Sequence, residues 1–100
     1  MRVISLKPLR EFRGRHPDAE VALRLWYKAV AKAEWTSLQD VRRHYPHADG
    51  VRTAPGDTLT VFNIAGNKYR LIARIRYDYG LVNVRAVLTH AEYDEDAWKE

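Results

Sequence analysis

Within one short stretch, Thr89-His90-Ala91-Glu92-Tyr93-Asp94, the chain sets a histidine, two carboxylates and a phenol side by side. A histidine can give or take a proton near neutral pH, and carboxylates beside it can orient its ring. Upstream, Asn63, Lys68, Arg70, Arg74, Arg76 and Arg85 supply one amide and five cations. Cations of this kind bind phosphate and stabilise negative charge that develops on it. A proton carrier next to a cationic surface reads as a site for handling RNA.

These side chains meet only if strands carry them. Thr58 to Ala65 and Lys68 to Tyr77 alternate in polarity and flank Gly66-Asn67, which provides the positive φ of a two-residue hairpin turn. The turn pairs Ala65 with Lys68, Ile64 with Tyr69, Asn63 with Arg70 and Phe62 with Leu71. Paired residues share a face, so Phe62, Ile64, Tyr69, Leu71, Ala73 and Ile75 form an apolar side. Asn63, Lys68, Arg70, Arg74 and Arg76 form the other, with Val61 and Ile72 between them.

A third strand, Leu81 to Thr89, follows a turn at Tyr79-Gly80. An even loop places Tyr77 opposite Val82 and sends Val82, Val84, Ala86 and Leu88 to the core, because a one-residue slip would bury Arg85. Arg85 and Thr89 then join the cationic face, with Arg85 opposite Arg74. Like charges so placed cost stability unless an anion lies over them. His90 has core parity by strict alternation, and faces the cations only if the strand ends near Thr89.

The apolar side of the sheet needs a cover, and the first half of the chain provides helices. Leu6 to Arg15 carries Leu6, Leu9 and Phe12 at helical spacing, with Pro8 tolerated in the first turn. A second helix opens near Pro17, with Asp18 and Glu20 at its positive end. Its expected stripe is Val21, Ala22, Leu25, Trp26, Ala29, Val30 and Ala33, and Trp26 and Trp35 read as packing residues. Thr36-Ser37-Leu38-Gln39 has capping-box spacing and opens a third helix to about Arg43. Asp49 to Asp57, with Gly50, Pro55 and Gly56, reads as a mobile loop, and Met1 to Ile4 as a possible short first strand.

Other clusters are weaker. His44, His47 and Asp49 lack the fixed spacing of a metal site, and Asp94, Glu95 and Asp96 read as a solvated tail. No phosphate-cradling glycine loop or nucleophile elbow is present. The absence of cysteine excludes disulfides, thiolate metal sites and a cysteine nucleophile. Seventeen Lys and Arg against thirteen Asp and Glu give a net charge of +4, compatible with a polyanionic partner. One hundred residues suit one domain, 1–100, of α+β class. The start of the chain shows no apolar run for a signal peptide or membrane span, so the expected location is the cytoplasm and no membrane partner is expected.

Val61-Phe62-Asn63-Ile64, Gly66-Asn67-Lys68-Tyr69-Arg70-Leu71-Ile72 and Thr89-His90-Ala91-Glu92-Tyr93-Asp94 resemble the HigB-type toxins of type II toxin–antitoxin modules, within the RelE superfamily. His16-Pro17-Asp18-Ala19-Glu20, Leu23 to Tyr27, Ala33-Glu34-Trp35 and Asp40-Val41 follow the same pattern, so the likeness spans nearly the whole chain. It implies a RelE-like fold, an antiparallel sheet with N-terminal helices on one face and a cationic open face. It also implies an mRNA interferase that cleaves messenger RNA on translating ribosomes, at the A site. The partner implied is a HigA-type antitoxin with a helix-turn-helix, and operator DNA is met only through that antitoxin.

Enzymes of RelE type work without metal or other cofactor, by attack of the ribose 2′-hydroxyl on the adjacent phosphate. By position, the resemblance makes Lys68 and Arg70 catalytic, with Arg74 and Arg85 beside them and Asn63 and Arg76 completing phosphate binding. His90 becomes the general base or acid, with Tyr93 as its partner or as a stacking residue for the scissile base. Glu92 and Asp94 are candidates to orient His90. The competing class is a non-catalytic basic module that binds RNA or the ribosome, or an operon co-repressor acting only with its antitoxin.

Overall fold

The computed structural model describes residues 1–53 and 56–99. A short strand, β1 (Arg2–Ile4), leads into α1 (Lys7–Arg15), where Pro8 sits in the first turn and gives up no helical hydrogen bond. Leu9 and Phe12 are its buried residues, and Arg13 and Arg15 end it where the helix dipole favours cations. A 3-10 turn over Pro17–Ala19 then redirects the chain into α2 (Glu20–Lys32).

The buried stripe of α2 is Leu23, Trp26 and Val30, with Ala22 packed beside it. The expected stripe omits the buried Leu23 and includes Ala29, which is exposed, as are Val21 and Leu25, at 56% and 60%. Val21 and Leu25 lie across the helix from Leu23 and Val30, and only one face can meet the sheet. Ser37, not Thr36, caps α3 (Leu38–His44), accepting from the Asp40 amide, while Asp40 accepts from both the amide and the hydroxyl of Thr36.

Five strands make one sheet in the order β1-β5-β4-β3-β2, with β2 (Asp49–Thr53), β3 (Asp57–Ile64), β4 (Tyr69–Arg76) and β5 (Leu81–Thr89) antiparallel in turn. The sheet is mixed, because β1 pairs with β5 in parallel. The helices between them provide the long crossover that parallel pairing needs. The stretch expected as a loop contains a strand: Asp49 to Thr53 pairs with Val61 to Asp57. Pro55 of that expected loop lies outside the described residues.

The β3–β4 hairpin has the expected register, Ile64 with Tyr69, Asn63 with Arg70 and Phe62 with Leu71. Its turn runs through Ala65 and Gly66, both at positive φ, and the Lys68 amide donates to the Ala65 carbonyl. The β4–β5 register departs from expectation. A 3-10 turn at Tyr77–Tyr79, closed by Gly80 at φ 63°, shortens the strands, so that Ile75 rather than Tyr77 lies opposite Val82.

A β-bulge follows: Ala73 pairs with Val84 but Ile72 pairs with Ala86, leaving Arg85 as the surplus residue. Beyond it the alternation flips. Val87 enters the core in place of Ala86 and Leu88, which join the opposite face.

Helices α1 and α2 cover the main core. Phe62 is fully buried at its centre, with Tyr45, Trp26 and Trp35 ring centres at 5.3, 5.4 and 6.2 Å. The sequence therefore places Trp26 and Trp35 correctly as packing residues. On the other face Leu59, Val61 and Ile72 are also buried, under Val51, Ala86, Leu88, Tyr93 and Trp98. That face is apolar at its middle and cationic at its margins.

Candidate active site

β5 ends at Thr89, and the chain turns at once into α4 (His90–Asp94). A reciprocal capping box fixes the turn: the Glu92 amide donates to Thr89 Oγ1 at 3.2 Å and the Thr89 amide donates to Glu92 Oε1 at 3.0 Å. The Thr89 amide holds the Glu92 carboxyl below its ordinary range, with Arg15 and His16 adding smaller attraction. Glu92 is thus spent on the cap and does not orient His90.

His90 escapes the inward parity of its strand because it is the first helical residue. Its Nδ1 lies 3.1 Å from Asp94 Oδ2, one turn along α4, within hydrogen-bonding distance. The imidazole is half exposed and free to meet a ligand.

Arg70 is the best-held cation of the expected set. Although only 9% exposed, it donates to Asn67 Oδ1 at 2.7 Å, to the Asn67 carbonyl at 3.1 Å and to the Tyr69 carbonyl at 3.2 Å. Its guanidinium carbon lies 5.5 Å from the centre of the Tyr93 ring. Tyr93 in turn stacks on Trp98, with centres 5.0 Å apart and planes 14° from parallel, and Trp98 Nε1 donates to the Tyr93 carbonyl at 2.8 Å. Hairpin turn, α4 and the segment after it are tied together through these contacts.

Lys68 does not project over the cationic face. It sits in the turn, and its ammonium is held by Asp18 from the helical layer, where Tyr69 also donates to both Asp18 oxygens, at 2.8 and 2.9 Å. Lys68 first, then Tyr69, holds the Asp18 carboxyl below its ordinary range, and Asp18 pushes Lys68 up. The Tyr69 hydroxyl is also raised, mainly by desolvation. Lys68 emerges on the helix side because the four-residue turn carries it past the last strand pair.

The expected clash of Arg74 with Arg85 does not occur. Arg74 lies opposite Asn83 and pairs with Asp57 at 3.4 Å, while the bulge carries Arg85 away from it. Arg76 pairs with Asp78 at 3.6 Å and lies 4.8 Å from the centre of the Tyr79 ring. Asn63 is half-buried opposite Arg70 and borders a small depression with His44, His47 and Gly66. His44 itself accepts a hydrogen bond from Trp35 Nε1 at 3.1 Å, a structural role.

The structure thus brings together Arg70 and Tyr93, joined by Asn67, and begins the helix that carries Tyr93 with the His90–Asp94 pair. It sets Lys68, Arg74, Arg76 and Arg85 apart, each in a different local setting. Asn67 and Trp98 are participants that sequence reasoning passed over. Asn67 stands in the turn next to Arg70, and a lone tryptophan in the polar stretch after Asp96 signals a packing partner there.

Chemically, a fixed guanidinium and a carboxylate-paired imidazole at one sheet end can bind a phosphate and move a proton beside it. Residues 19–96 match the model of a family described as the RelE-like toxic component of a toxin–antitoxin system. With most of its length matched, the chain belongs to the HigB toxin family. The mRNA interferase HigB of Escherichia coli O6:H1 (strain CFT073) is 26% identical across 95% of this chain and 90% of its own length. The mRNA interferase toxin HigB of Escherichia coli K12 is 27% identical across 94% and 88%, and the mRNA interferase HigB of Shigella flexneri matches to the same extent.

Proposed function

We propose that this chain is an mRNA interferase, cutting messenger RNA on translating ribosomes without a metal ion. The observation that carries the reading is the fixed Arg70 guanidinium against Tyr93, on the helix that begins with the His90–Asp94 pair. The names of the relatives, all mRNA interferases, support the same activity.

In the reaction, a ribose 2′-oxygen attacks the adjacent phosphorus while its proton passes to a base. The P–O5′ bond breaks, and the departing 5′-oxygen takes a proton from an acid, leaving a cyclic phosphate and a 5′-hydroxyl. His90 carries one of these proton transfers, with Asp94 fixing its ring. Arg70 stabilises charge on the phosphorane oxygens, and Tyr93 borders the base or shares in proton transfer. Asn63 lies opposite Arg70 at the same sheet end, and Arg85 contributes from outside the face.

Lys68 joins phosphate binding by exchanging Asp18 for the phosphate, and Arg74 and Arg76 by releasing Asp57 and Asp78. Orientation of the 2′-hydroxyl by the ribosome supplies a further large share of the barrier reduction. The cognate partner is an antitoxin of HigA type with a helix-turn-helix, through which alone operator DNA is met, and the setting is the cytoplasm.

The test is expression of the chain followed by primer extension on cellular messages. Growth arrest with breaks inside translated codons is expected, and both are lost in a combined Arg70→Ala and His90→Ala variant. Growth arrest without breaks would identify a non-catalytic RNA- or ribosome-binding module instead.

A further inference from the structure

The bulge in β5 gives Arg85 a place of its own. β1 pairs only with Leu81, Val82 and Asn83, so it does not cover the far half of β5's outer edge. Arg85, surplus to the β4 pairing and exposed, stands on that half. Helix α1 borders the same edge. Between them lies a depression of about 410 Å³ lined by Lys7, Pro8 and Arg15 from the helix and by Arg85, Ala86 and Leu88 from the strand.

Three cations thus border one depression from two elements. Lys7 is partly neutralised by Glu11, also on the lining, at 3.7 Å. Arg15 and Arg85 have no ion-pair partner among the described residues, whereas Arg74 and Arg76 on the sheet face do. Arg15 also packs its guanidinium carbon 5.9 Å from the centre of the Phe12 ring, which restrains the side chain. Its charge reaches Glu92 in α4. From Arg85 to His90 the strand rises about 16 Å at roughly 3.3 Å per residue. A cationic path therefore leads along the β5 edge, past Arg15, to the start of α4.

We propose that this α1–β5 edge, through Arg15 and Arg85, binds the phosphodiester backbone of an RNA strand and leads it toward His90. Small and apolar side chains in the floor suit ribose, and the two free guanidinium groups suit phosphate. The inference rests on the RNA-directed reading above but requires no cleavage.

The test measures binding of a 2′-O-methylated single-stranded RNA oligonucleotide, which lacks the attacking hydroxyl, and of purified ribosomes carrying no message. Arg15→Ala with Arg85→Ala should weaken oligonucleotide binding about tenfold or more and reduce the slope of log affinity against log salt by about 1.4. Arg15→Lys with Arg85→Lys should retain most of both. Removing the same charge elsewhere, by Lys28→Ala with Lys32→Ala, should change neither beyond about twofold.

Loss confined to ribosomes would overturn the path for a single strand toward His90 and leave a contact with ribosomal RNA in its place. Unchanged binding to both, in a variant that unfolds at the parent's temperature, would overturn the proposal even if cleavage on ribosomes is intact. Conversely, a parent that binds through these arginines but never cuts would refute the nuclease reading and leave the edge site standing.

Discussion

The Arg70 guanidinium carbon lies 5.5 Å from the centre of the Tyr93 ring, while its nitrogens are already bonded to Asn67 in the hairpin turn. A cation held from both sides presents its charge at a fixed place and needs no reorganisation when a phosphate arrives. Arg70→Ala is therefore expected to lower cleavage about 100-fold or more, and Arg70→Lys to recover little, since an ammonium cannot reproduce the planar fork. Cleavage of a defined message on programmed ribosomes checks this. Near-parental rates in Arg70→Lys would mean that only charge matters.

His90 and Asp94 form a hierarchy. Loss of the proton carrier in His90→Ala should cost about 100- to 10,000-fold, the range for general acid–base groups, and Asp94→Asn should cost distinctly less because it leaves the imidazole in place. Single-turnover cleavage by the two variants, compared at one pH, reads the order directly. Equal losses would show that the pair acts as an inseparable unit.

The Asp18, Lys68 and Tyr69 cluster couples folding to pH. Asp18 is depressed by Lys68 and Tyr69, so its stabilisation is complete above the ordinary carboxylate range, near about pH 4, and is lost as pH falls through its lowered value. Lys68 and Tyr69 are raised, so theirs is complete below about pH 10 and is lost as pH climbs through their raised values. Stability should be level between these limits and fall outside them. Glu92, depressed by the Thr89 amide, adds to the acid side. Urea midpoints against pH should show a shallower acid limb in Asp18→Asn, and an unchanged limb would contradict the assignment.

Packing makes the simplest forecast. Phe62→Ala, at the centre of three aromatic rings, should destabilise by about 3 to 5 kcal/mol. Thr89→Ala should cost about 1 kcal/mol through the lost cap, and should also lower cleavage because α4 carries His90 and Tyr93. Chemical denaturation and the ribosome assay measured on the same preparations separate the two effects.

Much of this architecture can be read from alternation and turn chemistry. The β3–β4 register, the burial of Phe62, Ile64 and Leu71, and the three N-terminal helices all follow from local periodicity. What escapes such reading is anything that breaks the count. The bulge at Arg85 inserts one residue, and so inverts the expected faces of Ala86, Leu88 and Val87. Strand β2 is polar and glycine-bearing, and is recruited by pairing with β3 rather than by its own preference.

Of the candidate site, the residue types are legible in the sequence and their arrangement is less so. Arg70 pairs with Asn63 as the hairpin register predicts, and His90 follows the end of β5 at Thr89, yet Lys68 belongs to Asp18, a partner far away in sequence that no spacing rule reveals. Arg74 likewise finds a carboxylate in Asp57, at the start of the neighbouring strand β3, and Arg76 finds one in Asp78, in the turn that follows its own strand. Counting cations on a strand overstates the field they project, because neighbouring elements supply counter-charges.

The surplus residue in β5 also bears on how this surface can change. Val82, Val84 and Val87 are held by the interior and Ala86 and Leu88 by the apolar patch beneath Tyr93, so exchange at those positions is judged first by whether the chain folds. Arg85 answers to neither side of the sheet. A saturation library at this single codon would therefore report almost purely on what the protein touches outside itself, a reading channel for function free of the noise of folding.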